Sequence, residues 1–381
     1  MKFSVSHFIN LMESETVAPF SGAENHLWVL LPALNAAGVR VELCVLLQQT
    51  GARIEDKLAK LRDAGIATFC FNYHPASARS VPFYPLMDLS CIAAVRRHLK
   101  QRRDWIVHTH LDPSDANVKI AARLAGCAHV VSTVHNNEPA HLRRAWFCLQ
   151  RLLDRFTSRH IAISKAVARH LVELEKTPAS KVSVIPYGIS PPPTVLNRVE
   201  ARSRLGLRGD MFTVGFVGRL TPQKNVGVLI EAMKRMPSAE CVIVGEGELR
   251  KILETEAAGA HNIKFVGHRA DASELMPAFD VLCLPSKWEG LGLVLIEAML
   301  RGVPVAGSRA GAIPEILDEG RCGTLFDGDD VDSLIQAIEA ARSNGGETAA
   351  RARAFARETF TVEKMTRQTL QLYQELTSTG N

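Results

Sequence analysis

Short apolar runs alternate with helix-length stretches, twice over and on either side of a proline-rich break, and this constrains the chain more than any single motif. Before the break, strands are predicted at about residues 2–8, 40–47, 66–71, 105–109, 129–134 and 160–163. Helices fall between and after them, near 23–37, 53–64, 88–102, 114–125, 141–157 and 165–174. Strands alternating with helices of that size mean a parallel sheet. The break is Pro186-Tyr187-Gly188-Ile189-Ser190-Pro191-Pro192-Pro193, where proline removes donors and blocks helix continuation. Beyond it the alternation resumes, with strands near 212–217, 240–244, 262–266, 280–284, 303–306 and 322–325. A last helical run, about 362–377, has no strand after it. The fold class that follows is α/β, with two doubly wound parallel sheets, and 381 residues suffice for two separate cores.

Composition narrows the function classes. Apolar residues make up 46% and charged residues 22%, which excludes wholesale disorder. No apolar stretch approaches the roughly 20 residues needed to span a bilayer. The opening segment, residues 1–7, is too short and too polar for a signal-peptide core and reads as a first strand. Eight cysteines are scattered without a close pair, mostly in apolar runs, and read as reduced core residues of a cytosolic protein. Residues 1–190 carry 23 Lys and Arg against 15 Asp and Glu, whereas the remainder carries 22 against 25. The excess gathers at Arg96, Arg97, Arg102 and Arg103, and at Arg143 and Arg144 beside Trp146 and Phe147. Such runs are either solvated helix faces or a loose, salt-reversible contact with an anionic membrane surface. No zinc-finger spacing, RNP-type aromatic pattern or persuasive helix-turn-helix points to nucleic acid.

The residues with chemistry gather at strand ends. Glu289 and Glu297 lie eight positions apart, after the strand-like Phe279-Asp280-Val281-Leu282-Cys283-Leu284. Glu289 falls in the loop at that strand's carboxyl end, and Glu297 projects from a helix predicted over 291–300 and stopped by Gly302 and Pro304. Gly290 and Gly292 let a ligand approach the backbone, beside a helix amino terminus that attracts phosphate and hydroxyl oxygens. Arg219 follows another strand and Lys224-Asn225 opens the next helix, a guanidinium and an ammonium placed for a diphosphate. In Gly245-Glu246-Gly247 the third glycine of a dinucleotide fingerprint is replaced by Arg250, so the segment reads as a strand-to-helix turn. Ser21 with Glu24, and Asp271 with Glu274, have capping-box spacing, and Ser164 reads as an N-cap. His108 and His110 share one strand face and, with Asp112, give the one local hint of a metal, for which a further ligand at suitable spacing is missing.

In chain order, Ser21-Gly22-Ala23-Glu24, His108-Thr109-His110, Thr133-Val134-His135, Gly218-Arg219-Leu220 with Lys224-Asn225, Glu289 to Glu297, and Gly311-Ala312-Ile313-Pro314-Glu315 form one series. The series resembles retaining glycosyltransferases of family 4, which have the GT-B fold. The resemblance covers nearly the whole chain, and is specific in the second half and looser in the first. It implies two Rossmann-like domains facing across a cleft: 1–188 on the acceptor side, 189–360 for the nucleotide sugar, and a helix in 361–381 crossing back onto the first. It implies that Glu297 binds ribose hydroxyls and Glu289 those of the transferred sugar, with Arg219 and Lys224 stabilising the leaving diphosphate. Val266, Gly267 and His268 then contact the base, and Gly290, Leu291, Gly292 and Leu293 line the sugar and phosphate. Gly22 lets a helix terminus approach the donor phosphate, and His108 and His110 line the acceptor side. His135 lies near the sugar, protonated or donating hydrogen bonds. Tyr187 departs from the pattern, which has asparagine there.

The activity implied is transfer from a UDP- or GDP-linked sugar to a saccharide or lipid-linked acceptor in bacterial envelope polysaccharide, lipopolysaccharide or glycolipid assembly. It would take place in the cytoplasm or at the inner membrane face, without metal or other cofactor. In the front-face mechanism of the family, the leaving phosphate itself helps to deprotonate the acceptor. A non-hydrolysing nucleotide-sugar epimerase of the same fold, or a non-catalytic sugar-nucleotide-binding protein, are the alternatives.

Overall fold

The computed structural model describes residues 3–11, 22–48, 52–71, 89–110, 114–136, 151–190, 196–207 and 211–378. They form two compact units, the first from residues up to Gly188 together with Val362 onward, the second built on Ile189–Thr361.

The first unit has β1 (Ser4–Leu11), β2 (Arg40–Gln48), β3 (Ala67–Cys70), β4 (Ile106–His110), β5 (Val130–Val134), β6 (Arg159–Ala162) and β7 (Val182–Val184). They lie in the order β3-β2-β1-β4-β5-β6-β7, every neighbour parallel. Six of these strands stand where the alternation puts them. The seventh, β7, is an addition: three half-buried residues with a serine in the middle give no apolar run to read. Helix Gly22–Ala36 turns Leu27, Leu30, Leu31 and Leu34 inward at three- and four-residue spacing, and all four are buried. Helix Val362–Ser378 packs beside it and adds Met365, Leu372, Tyr373 and Leu376 to the same core as β1 and β2.

The second unit has β8 (Phe212–Val217), β9 (Ala239–Val244), β10 (Ile263–Gly267), β11 (Val281–Leu284), β12 (Val305–Ser308) and β13 (Thr324–Phe326), in the order β10-β9-β8-β11-β12-β13. Central β11 is buried at every residue, as a parallel strand covered on both faces should be. In both sheets the chain runs outward one way and then the other, reversing between β1 and β4 and between β8 and β11. The architecture is thus the doubly wound α/β class read from the sequence.

The basic face is smaller than its sequence. The helix expected over 88–102 ends at Leu99, and Arg102 turns inward, its Nε donating to the buried Glu42 carboxylate at 3.0 Å. Its guanidinium also lies 5.3 Å from the Phe69 ring and 5.4 Å from that of Trp105. Arg96 donates to the Leu124 carbonyl at 3.1 Å, while Arg97 and Arg103 are exposed. Arg143, Arg144, Trp146 and Phe147 lie outside the described residues, as do Ser21 and Asp112. No helix among the described residues is long and apolar enough to cross a membrane.

Candidate functional site

Parallel strands bring all their carboxyl ends to one edge, and ligands of open α/β sheets bind where the strand order reverses. In the second unit that point lies between β8 and β11. After β8 the chain passes Arg219, makes a short 3-10 turn at Pro222–Lys224, and enters helix Val226–Lys234 through Asn225 at φ 50°. Asparagine tolerates this left-handed conformation, and its side chain is anchored on the Gly328 carbonyl and on Asp329, both at 3.0 Å. After β11 the loop from Ser286 leads to helix Leu293–Leu300, which begins two residues later than the sequence predicts.

The two loops are fastened together. Lys287 N–H donates to the Gln223 carbonyl at 2.8 Å, and the Gln223 amide donates to the Trp288 carbonyl at 3.0 Å. Across this seam the Lys224 ammonium sits 2.6 Å from Oε2 of Glu289, which also accepts from the Ser286 hydroxyl at 3.0 Å. The Glu289 carbonyl accepts from Ala312 N–H at 3.0 Å, tying in the Gly311–Glu315 segment. Glu289 is 9% exposed, so the charges are largely desolvated and fixed in direction. Gly292 adopts φ +80° at the start of the helix, and a Cβ there would stand 3.3 Å from Cγ of Glu289.

Arg219 is exposed and has no ion-pair partner among the described residues. Its loop rests on the turn after β9: Gly218 N–H donates to Val244 at 3.0 Å and Leu220 N–H to Glu246 at 2.9 Å. A Cβ on Gly245 would fall 1.8 Å from the Gly218 carbonyl oxygen, and one on Gly247 would fall 2.4 Å from that of Leu220. The glycine pair that imitates a dinucleotide fingerprint therefore serves close backbone packing under Arg219.

Glu297 accepts from the Ser273 hydroxyl at 2.8 Å. Burial pushes its carboxyl above the ordinary range, against the opposing pull of Ser273 and Arg301. The capping box expected at Asp271–Glu274 is absent. Asp271 is taken by a two-pronged pair with Arg269 at 2.8 Å, and Ser273 is spent on Glu297. Val266 and Gly267 close β10 on the same edge, Gly267 at φ +73° accepting from Gly245 N–H at 2.8 Å, with His268 exposed beyond. The structure thus joins Lys224 to Glu289 directly, and Arg219 flanks the same reversal point.

In the first unit the reversal point lies over a cluster of histidines. His7 on β1 is in register with His108 on β4, and His110 is in register with Thr133 on β5, so these side chains share one sheet face. His108 bonds the Tyr373 hydroxyl at 2.6 Å and Thr133 at 2.7 Å. His110 bonds His7 at 3.0 Å and His135 at 3.4 Å, and His135 bonds the Tyr187 hydroxyl. Tyr187 stacks on His26 with ring centroids 4.4 Å apart. His108 and His110 are fully buried, so neither side chain is exposed to line the acceptor side as expected. Burial and the neighbouring His26 hold His135 well below the usual histidine value, which favours hydrogen-bond donation over protonation among the two roles expected of it. Burial likewise lowers His7 and His26 to about 3, so these rings are neutral near pH 7.

Nitrogens of His7, His108 and His110 come within 4.8 Å of one another, so among the described residues His7 joins the two histidines read from the sequence. Both nitrogens of His108 and of His110 are already engaged by protein partners. Ser164 caps helix Lys165–Glu173, accepting from Val167 N–H at 3.1 Å, and Gly22 opens helix Gly22–Ala36. Sequence reasoning did not single out His7, His26, Tyr373, Ser273 or Ser286. Each is one polar residue in an apolar or loop segment, and all but Ser286, which meets Glu289 three positions on, take partners from distant parts of the chain.

Residues 20–191 match the family model described as Glycosyltransferase Family 4, and residues 197–359 match that described as Glycosyl transferases group 1. The chain is 30% identical over 271 residues to an Escherichia coli UDP-Gal:alpha-D-GlcNAc-diphosphoundecaprenol alpha-1,3-galactosyltransferase, a match covering 66% of this chain and 70% of that protein. It is 29% identical over 269 residues to a D-inositol 3-phosphate glycosyltransferase of Mycobacterium marinum, covering 63% of this chain and 56% of that protein. Among solved structures, Anabaena HepE in complex with UDP and glucose superposes with a TM-score of 0.81 at 23% identity, over 98% of this chain and all of that one.

Proposed function

Because the chain belongs to glycosyltransferase family 4, we propose that it transfers a glycosyl unit, with retention, from a nucleoside-diphosphate sugar to a saccharide or lipid-linked acceptor in envelope or glycolipid assembly. The observation that carries this reading is the Lys224–Glu289 pair at the β8–β11 reversal point, with the exposed Arg219 beside it. A diphosphate leaving group gains negative charge as the glycosidic bond breaks, and fixed cations aimed at it stabilise that state more than the ground state. Arg219 supplies an exposed guanidinium, and Lys224 an ammonium already oriented by Glu289. With these cations and helix termini opposite the diphosphate, the reaction needs no metal ion.

Glu289 is poised to orient the sugar. Its Oε2 is committed to Lys224 and Ser286, which leaves Oε1 to accept from a sugar hydroxyl. A carboxylate so paired is a poor nucleophile, which favours front-face displacement over the double displacement of retaining glycosidases. Val266, Gly267 and His268 offer the base-binding edge, and the amides from Gly290 to Leu293 face the sugar and phosphate. Exposed Arg97 and Arg103 are suited to a loose contact with anionic lipid, near which a lipid-linked acceptor resides.

Incubation with a panel of nucleotide sugars in excess chelator, with and without anionic vesicles, tests the proposal. Release of free nucleoside diphosphate, undiminished by chelator and raised by acceptor, is the expected result. An isomeric nucleotide sugar, or binding without turnover, would overturn it. Failure to sediment with anionic vesicles at low salt would remove the membrane part alone.

The two acids are expected to separate. Glu297→Gln should weaken free nucleoside diphosphate about as much as the sugar donor, by roughly 1.5–3 kcal/mol for a lost charged hydrogen-bond pair. Because burial raises the Glu297 carboxyl, its charged form is unfavourable in the folded state near pH 7, so this variant should melt no lower than wild type. Glu289→Gln should leave free-nucleotide affinity nearly intact and slow turnover. Calorimetric titration with the nucleotide, alongside steady-state rates, checks the division; equal loss of nucleotide affinity in both variants contradicts it.

A further inference from the structure

Tyr187, where the family pattern has asparagine, is wholly buried, and its hydroxyl has one described hydrogen-bond partner, Nδ1 of His135. A buried phenol needs an acceptor for its proton, and an imidazole lone pair is a strong neutral one. Burial pushes the Tyr187 phenol up, so it keeps that proton. If the phenol donates to Nδ1, the imidazole's own proton must reside on Nε2. A second tyrosine repeats the arrangement deeper in the unit: Tyr373 hydroxyl meets His108 Nδ1 at 2.6 Å, and His108 Nε2 meets the Thr133 hydroxyl at 2.7 Å.

From His135 the same polarity runs inward. Its Nε2 faces His110 Nδ1 at 3.4 Å, His110 Nε2 faces His7 Nδ1 at 3.0 Å, and His7 Nε2 ends the row with no hydrogen-bond partner among the described residues. His135 is the half-buried ring of this row, and its bond to His110 is the longest in it. An N–H held that weakly can be exchanged for a better acceptor at little cost.

We infer that Tyr187 is a positioning residue that fixes His135 as the Nε2–H tautomer, and that this neutral N–H is offered to an oxygen of the bound glycosyl substrate. The substrate half rests on the transferase reading; the tautomer half does not. An uncharged donor suits an uncharged sugar oxygen, and Tyr187 makes it available without placing a proton charge in the buried cluster.

Nitrogen-15 NMR of the full-length, histidine-labelled protein reads the tautomer directly. Wild type is expected to show His135 protonated at Nε2 and bare at Nδ1 near neutral pH. Tyr187→Phe keeps the ring on His26 but removes the hydroxyl. It should release His135 into a mixture of tautomers and lower kcat about 3- to 10-fold, the worth of one neutral hydrogen bond, with nucleoside-diphosphate affinity unchanged. A wild-type spectrum with the proton on Nδ1 overturns the assignment, whatever the variant does. A shifted tautomer with unchanged kcat overturns the substrate contact. Should Tyr187→Phe fail to fold, the wild-type spectrum still decides the tautomer. Should no nucleotide sugar turn over, the transferase reading fails while the tautomer assignment stands on its own spectrum.

Discussion

Lys224→Ala is expected to slow sugar transfer by about 2–4 kcal/mol in the barrier, roughly 30- to 1,000-fold, because it removes one fixed donor from the charge that develops on the diphosphate. It should also destabilise the second unit. Glu289 is 9% exposed and among the described residues would keep only the Ser286 hydroxyl at 3.0 Å, and a buried acceptor deprived of its strongest partner costs about 1–3 kcal/mol. Arg219→Ala offers the contrast. Its guanidinium is exposed and has no ion-pair partner among the described residues, so turnover should fall by a similar factor while the melting temperature stays put. The double variant Lys224→Ala with Glu289→Gln should recover most of the lost stability and none of the rate. Steady-state kinetics and thermal melts on all three proteins separate the two effects. Wild-type kcat/KM in both single variants would remove these cations from the reaction.

Tyr373→Ala is expected to cost the first unit about 3–5 kcal/mol, a large part of the stability of an ordinary domain. The ring is fully buried, packs edge-on to Phe3 with centroids 5.8 Å apart, and belongs to the core that β1 and β2 share with helix Gly22–Ala36. Tyr373→Phe keeps the packing and deletes the bond to His108 Nδ1, for an expected loss of about 1–3 kcal/mol. Urea unfolding followed by a probe in the first unit measures both. A wild-type midpoint for Tyr373→Ala would mean that helix Val362–Ser378 does not hold this unit together.

The fold was legible because its signal is periodic. Twelve of the thirteen described strands lie where apolar runs alternate with helices, and the exception, β7, is too short and polar to produce a run. Local motifs were less dependable. Asn197 and Glu200 form a complete capping box, whereas Asp271 and Glu274, at the same spacing, do not, because Arg269 claims Asp271 first. The charges at the candidate site could be read singly, at strand ends where ligands bind. Their pairing could not, since Lys224 and Glu289 are 65 residues apart and meet only because β8 lies beside β11. Distance in sequence hid the histidine cluster in the same way. His108 and Tyr373 are separated by 265 positions, and a histidine inside an apolar strand reveals its burial but not its partner.

The chain leaves the first unit at Gly188 and returns to it at Val362. At roughly 5–20 residues per second, a ribosome takes about 9–35 s to synthesise what lies between. For that interval the nascent protein presents an unfinished hydrophobic face, where Phe3 and neighbouring core residues await Met365, Leu372, Tyr373 and Leu376. The second unit, whose described residues all come from the stretch Ile189–Thr361, faces no such delay. Synthesis therefore favours a reversed order of maturation, in which the half encoded later is finished earlier, and the half encoded first depends in the meantime on whatever shields its open core from other chains.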